Sequence, residues 1–272
     1  MTSPADWPSC STRGTPGFVD VRYLIVSDLH SNDEALTAVL RRVKRKTFDR
    51  VVCLGDFVGY AADPNKVLDR FRALRKTTIS VRGNHDKVVA GVDEGLLFNP
   101  PALEAARCTM DRLSTQNMEF LKRLPLGPEV VDGRFVACHG SPLDEDAYIF
   151  SDFDASLNFV QMNRFAEGID LCFFGHSHIP SIFTLEPGGI RVEAVREARY
   201  KLRLVPGKRY LVNPGSVGQP RDRNPRAAYA IYDASARVVH FDRVPYDVGT
   251  ARRKIQRAGL PVVLGDRLLV GL

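Results

Sequence analysis

Five of the six histidines in this 272-residue chain share one context. His30, His85, His139, His176 and His178 each follow a short apolar run, and Asp28, Asp56 and Asn84 stand in the same kind of place. Imidazoles, carboxylates and a neutral amide oxygen together suit borderline divalent ions such as Mn, Fe, Ni, Co or Zn. A set of oxygens alone would favour Mg or Ca. The candidates exceed what one ion can hold, and two ions need a bridging group. A carboxylate such as Asp56 can span the roughly 3.5–4 Å typical of dinuclear hydrolases. A single histidine at a strand end is usually structural, whereas five in one setting point to metal. The sixth, His240, lies in a late strand-like run and is read as an ordinary core or surface residue.

The stretch Val81–Asp86 (VRGNHD) shows how the work can be divided. Asn84 offers a neutral carbonyl oxygen, which ligates without adding charge, and His85 is free to handle a proton or an oxyanion. Asp86 is read either as orienting His85 or as capping the next helix.

Apolar runs of strand length must position these groups. They lie at 21–27, 50–54, 77–81, 135–138 and 170–174, and each ends at one of the polar motifs. Between them, Leu36, Val39, Leu40 and Val43, then Val67, Leu68, Phe71 and Leu74, recur at helical spacing. Further helix is expected over 87–125, with a break at Asn99-Pro100-Pro101, and within 154–166. Strands alternating with helices predict an α/β fold with parallel pairing, and ligands bind outside the carboxyl ends of such strands. From Ile182 to Arg243 short β-rich runs separated by turn residues predict hairpins of a second, mostly antiparallel sheet. The expected organisation is a leader over 1–19, rich in Pro, Gly, Ser and Thr, a domain over 20–246, and a helical tail over 247–272 packing on it.

The motifs D-x-H, G-D, G-N-H-D, H-G and G-H-x-H, in this order from Asp28 to His178, resemble those of the calcineurin-like metallophosphoesterase family. The resemblance covers about 20–245 and implies a two-sheet α/β sandwich with its active site at the strand carboxyl ends. It implies that Asp28, His30 and His178 hold one metal, that Asn84, His139 and His176 hold the second, and that Asp56 bridges them. It further implies attack by a water or hydroxide between the ions, with His85 stabilising phosphoryl oxygens or protonating the leaving group. Two divalent ions, Mn first among the choices, are the implied cofactors, and phosphodiesters, with phosphomonoesters second, the implied substrates.

The segments GDFVGY with Asp63-Pro64-Asn65, and NPGSVGQPRD, look like a subgroup of small bacterial and archaeal phosphodiesterases. The arginine-bearing patterns of protein phosphatases and diadenosine tetraphosphate hydrolases are not present. Where many relatives have Gly-Asn after D-x-H, this chain has Ser31-Asn32. Three residues are candidate substrate contacts: Asn32, against helix capping; Tyr60, against loop packing; and Arg221, against a salt bridge with Asp222 or Asp144. The family also contains a non-catalytic retromer scaffold and repair nucleases, which stand as alternatives.

Composition bounds the rest. Hydrophobic content of 44% and charged content of 26% are those of a globular protein, and no apolar run is long enough to span a membrane. The N-terminal stretch has no apolar h-region, so it is not read as a secretory signal. Five cysteines, three of them inside apolar runs, predict reduced, buried thiols and a cytoplasmic setting. The net charge of +6 includes a basic helix face at Arg41, Arg42, Lys44, Arg45 and Lys46, read as solvated and not as a nucleic-acid surface. A small, nucleotide-like phosphate ester is the expected partner, with the late hairpins as the candidate surface for a homodimer.

Overall fold

The computed structural model describes residues 20–44 and 48–272. The expected leader, together with Arg45 and Lys46, therefore lies outside the described residues.

The early apolar runs form β1 (Arg22–Val26), β2 (Arg50–Cys53), β3 (Thr77–Ser80), β5 (Phe135–Ala137) and β6 (Leu171–Phe173). A short strand that periodicity did not announce, β4 (Glu129–Val131), precedes β5. The later strands are β7 (Ser181–Glu186), β8 (Gly189–Ala194), β9 (Arg199–Arg203), β10 (Arg209–Asn213), β11 (Ala227–Asp233) and β12 (Val238–Val244). They make two six-stranded sheets, ordered β3-β2-β1-β11-β12-β9 and β4-β5-β6-β10-β7-β8.

This corrects one expectation. The late hairpins do not form a sheet of their own; β9, β11 and β12 complete the first sheet, and β7, β8 and β10 complete the second. Burial explains the allocation. All seven residues of β11 are buried, as befits a strand paired with β1 on one side and β12 on the other. β8 and β9 keep mostly exposed side chains and take the edges. Parallel pairing is confined to β1-β2-β3 and to β5-β6-β10, and the rest is antiparallel.

The period-two pattern of each strand builds two cores at once. Tyr23 and Ile25 of β1 meet Phe135, Phe173 and Tyr210 of the second sheet between the two layers. Leu24 and Val26 face the other way, onto helix α1 (Asp33–Val43) and helix α2 (Pro64–Arg72). The outer face of the second sheet is covered by Phe159 and Met162 of α6 (Asp152–Phe165). The result is an α/β sandwich of two sheets with helices outside.

Three helices lie between β3 and β4: α3 (Asn84–Val89), α4 (Pro100–Arg112) and α5 (Thr115–Lys122). The expected helix does not run through 90–99. Gly91 and Gly95 hold positive φ there, a conformation that ends a helix, and the segment is a loop. At the C-terminus α7 (Val248–Arg257) and α8 (Val262–Val270) pack through Ala251, Ile255, Leu264 and Leu268 on Ala102 and Ala105 of α4 and on Tyr60. No helix among the described residues is long and apolar enough to cross a membrane. Cys53, Cys108, Cys138 and Cys172 are free thiols.

Candidate metal centre

The loops after β1, β2, β3, β5 and β6 converge at one end of the sandwich and are stitched together by their backbones. Asp28 N donates to Gly55 O at 3.1 Å, His30 N to Asp56 O at 3.0 Å, and Gly175 N to His139 O at 2.7 Å. The loop 213–218 lies alongside, with Val217 N bonded to Ser27 O and Gly218 N to Asp28 O. The backbone is strained where it carries the ligands. Asp28, His30, Asp56, His176 and His178 all have φ between 45° and 63°, as do Ser31 and Tyr60 beside them. Few non-glycine residues adopt this region, asparagine, aspartate and histidine most readily, and seven of the ten among the described residues crowd this one site. Gly83 lies so close to Asp56 that a Cβ there would sit 2.1 Å from Oδ1, so glycine is required at this position.

Two groups of donor atoms result. Asp28, His30, Asp56 and His178 lie within 4.8 Å of one another, as do Asp56, His139 and His176. Asn84 joins the second group, its Oδ1 standing 3.1 Å from His139 Nε2. Asp56 belongs to both: its Oδ2 is 3.6 Å from His30 Nε2 and 3.4 Å from His139 Nε2. Donors on one ion, each about 2.0–2.2 Å away, lie at most about 4.4 Å apart. A contraction of a few tenths of an ångström around a cation therefore suffices.

The surrounding chemistry fits a pair of cations. Three imidazoles are oriented by backbone carbonyls, with Nδ1 of His30 donating to Val58 O (3.0 Å), of His139 to Leu54 O (2.8 Å) and of His178 to Gln219 O (2.6 Å). A carbonyl only accepts, so Nδ1 carries hydrogen and Nε2 is turned inward as a ligand. The inward Nε2 atoms of His30 and His178 are 3.1 Å apart, two lone pairs facing each other unless a cation lies between them. Asp28 Oδ2 is buried with no hydrogen-bond partner, a costly state that a metal bond relieves.

Proton affinities point the same way. Burial lowers His30 and His178 far below the usual imidazole range, His85 to about 4 and His176 to about 3, so all four are neutral at pH 7. Burial lifts Asp28 to about 7. Burial opposes charge on His139 as well, but the Asp56 carboxylate outweighs it and raises the imidazole to about 10. Without ions, a proton on His139 balances Asp56. A divalent cation supplies that balance better and displaces the proton.

His85 is set apart from the ligands. Its backbone N–H donates to Asp56 Oδ1 at 2.9 Å, and its ring lies between Tyr60 (4.4 Å) and Phe98 (4.4 Å). Its Nδ1 is buried without a partner against Gly59, which leaves Nε2 as the ring nitrogen free to meet a ligand. Asp86 does not orient His85. Its carboxylate accepts from the N–H groups of Phe57, Val58 and Gly83, stapling the Asp56 loop to the start of α3.

Of the two roles expected for Asn32, the structure displays the helix cap. Its Oδ1 accepts from Ala35 N, and its Nδ2 donates to Gly218 O and Tyr246 Oη, which uses both amide hydrogens and one of the two oxygen lone pairs on structural partners. Arg221 is not paired with Asp222, which instead bonds Arg243. It donates to Gln219 Oε1 and to Tyr60 Oη, and its guanidinium lies 5.6 Å from the centre of the Tyr60 ring. One neighbour was not foreseen. Tyr148 stacks on His176 at 4.0 Å, in a loop whose sequence carries no motif.

A cavity of about 610 Å³ opens onto Asn84, His85 and His176. A larger hollow of about 840 Å³ lies beside α1 and touches no ligand, so the smaller cavity is the one that matters for chemistry.

The family model for the calcineurin-like phosphoesterase superfamily domain matches residues 21–237. A protein of Methanocaldococcus jannaschii is 37% identical over 252 residues, which is 91% of this chain and 97% of that one. A metallophosphoesterase from Sphaerobacter thermophilus is 36% identical, with a TM-score of 0.80 over 93% of this chain and 100% of its own. A hypothetical protein from Pyrococcus horikoshii, 20% identical, shares the fold at a TM-score of 0.75 over 93% of this chain and 99% of its own.

Proposed function

Because the chain belongs to the calcineurin-like phosphoesterase superfamily, we propose that it hydrolyses phosphate esters, diesters first, at a centre of two divalent ions. Asp28, His30 and His178 hold one ion, Asn84, His139 and His176 the other, and Asp56 bridges them. The observation that carries this reading is the position of Asp56. Its Oδ2 faces imidazoles of both ligand groups, and its Oδ1 holds the N–H of His85. When bound, the ions neutralise phosphoryl oxygens and supply a nucleophilic water at neutral pH, and manganese suits this donor set.

The chain's own residues do the rest. Neutral at pH 7, the His85 ring hydrogen-bonds a phosphoryl or leaving-group oxygen through Nε2, and the Asp56 contact fixes where it does so. Arg221, held by Gln219 and Tyr60, adds positive charge on the phosphate side. Tyr60 positions both His85 and Arg221. The buried rims of the loops keep bulk water from the donors, which strengthens each of these contacts.

The test is hydrolysis of bis(p-nitrophenyl) phosphate by manganese-loaded protein, with activity lost on chelation. A protein that holds two ions per chain and cleaves neither mono- nor diesters overturns the reading.

A further inference from the structure

The walls of the cavity at the metal centre are unlike its floor. Val92, Leu96, Leu97 and Phe98 form one side and Tyr148 the other. Leu96 and Leu97 are 84% and 94% exposed, two adjacent leucines left in water at the mouth of a polar site. Aromatic rings flank both site histidines, tilted against His85 and stacked on His176. Phe98 lies 4.4 Å from His85, and Tyr148 stands on His176 with Phe150 stacked behind it at 5.1 Å. An apolar surface continuous with a phosphate site is what an ester's organic group needs, because the phosphate and that group are covalently joined.

The charges on the walls narrow the class. Asp93, Glu94 and Asp146 line the cavity against a single cation, Lys87. Lys87 is already bonded to Asp146, with Glu145 at 3.3 Å and Asp93 at 3.7 Å. Three carboxylates against one ammonium leave the wall net negative, which disfavours a second phosphate on the substrate and a nucleic-acid backbone alike.

We propose that this cavity is the subsite for the organic group of the substrate, an apolar or aromatic group on an ester that carries no second phosphate. Leu96, Leu97, Phe98 and Tyr148 set the preference. The proposal rests on the phosphoesterase reading above.

The experiment measures binding to the full, manganese-loaded chain by calorimetry, with methyl phosphate and phenyl phosphate as probes. Phenyl phosphate is expected to bind about tenfold or more tightly, the usual scale for packing one ring on aromatic side chains. Hexyl phosphate and uridine 5′-phosphate, run beside them, tell an alkyl chain and a nucleoside from a simple ring, and tighter binding than methyl phosphate by either supports the subsite. In Leu96→Ser with Leu97→Ser, two surface changes that spare the core, the ratio should fall toward one. In Tyr148→Ala it should fall as well. Equal affinity for methyl phosphate and the larger esters in the unaltered chain overturns the proposal and leaves the phosphoesterase reading standing. If neither these monoesters nor bis(p-nitrophenyl) phosphate binds the loaded protein, that reading fails instead.

Discussion

The two sheets of the sandwich contribute different things to the metal centre. The first sheet brings Asp28 and Asp56, and with them all the negative charge, along with His30, Asn84 and His85. The second brings only imidazoles, His139, His176 and His178. Neither donor group closes within one sheet. The first needs His178 from across the sandwich, and the second needs Asp56. The loops also differ in how they are held. Those of the first sheet are braced by Asp86 and by backbone bonds between neighbours. The segment Gly175–His178 is held by Asn213 Nδ2, which donates to Gly175 O at 2.6 Å and Ser177 Oγ at 3.0 Å, by Gly175 N to His139 O, and across the sandwich by His176 N to Asp28 Oδ1 at 3.2 Å. Carboxylates from one side and imidazoles from the other are both needed to complete either donor group.

The largest expected effect comes from removing the shared charge. Asp56→Asn keeps the shape but should lose both ions and bring hydrolysis to background, as metal content and phosphodiesterase assays would show. Retention of two ions would break the idea that one carboxylate serves both groups. Next is His85→Ala, which should leave two ions bound and lower kcat by about two orders of magnitude or more. Loss of metal in that variant would instead make His85 a ligand and blur the division between metal donors and the phosphate-binding imidazole.

Chelation sharpens the contrast between the sheets. At an ion concentration of 100 times Kd, removal should lower stability by about 2.7 kcal/mol for each ion held. Amide exchange should quicken more at His176–His178 than at Asp28–Asn32; equal change in both loops would mean that the sheets are held alike. The smallest effect belongs to Asn32→Ala, which should cost about 1 kcal/mol in denaturant unfolding, the usual loss for a helix cap, with KM unchanged. A large rise in KM would return Asn32 to the substrate.

Much of this centre was legible because its motifs are local. A strand followed by Asp28, Asp56, His85 or His176 is a pattern that a single stretch of chain displays. What was not legible depends on partners distant in sequence. The runs at 199–203 and 209–213 look alike as β-segments, yet β9 pairs with β12 in one sheet and β10 with β6 in the other. Nothing in their alternation selects between those neighbours. Asn32 could cap or bind by residue type, and only the positions of Gly218 and Tyr246, some two hundred residues later, decide it. Tyr148 escaped notice because an aromatic in a loop has no periodicity to betray it.

The left-handed backbone at Asp28, His30, Asp56, His176 and His178 has a consequence for anyone who would transplant this centre. Copying the side chains onto another scaffold would not reproduce it, since an ordinary strand end aims them elsewhere. Aspartate and histidine tolerate such turns better than branched residues do. Each ligand is thus selected twice, once for its donor atom and once for the bend it must make, and a replacement that satisfies only one of these will fail.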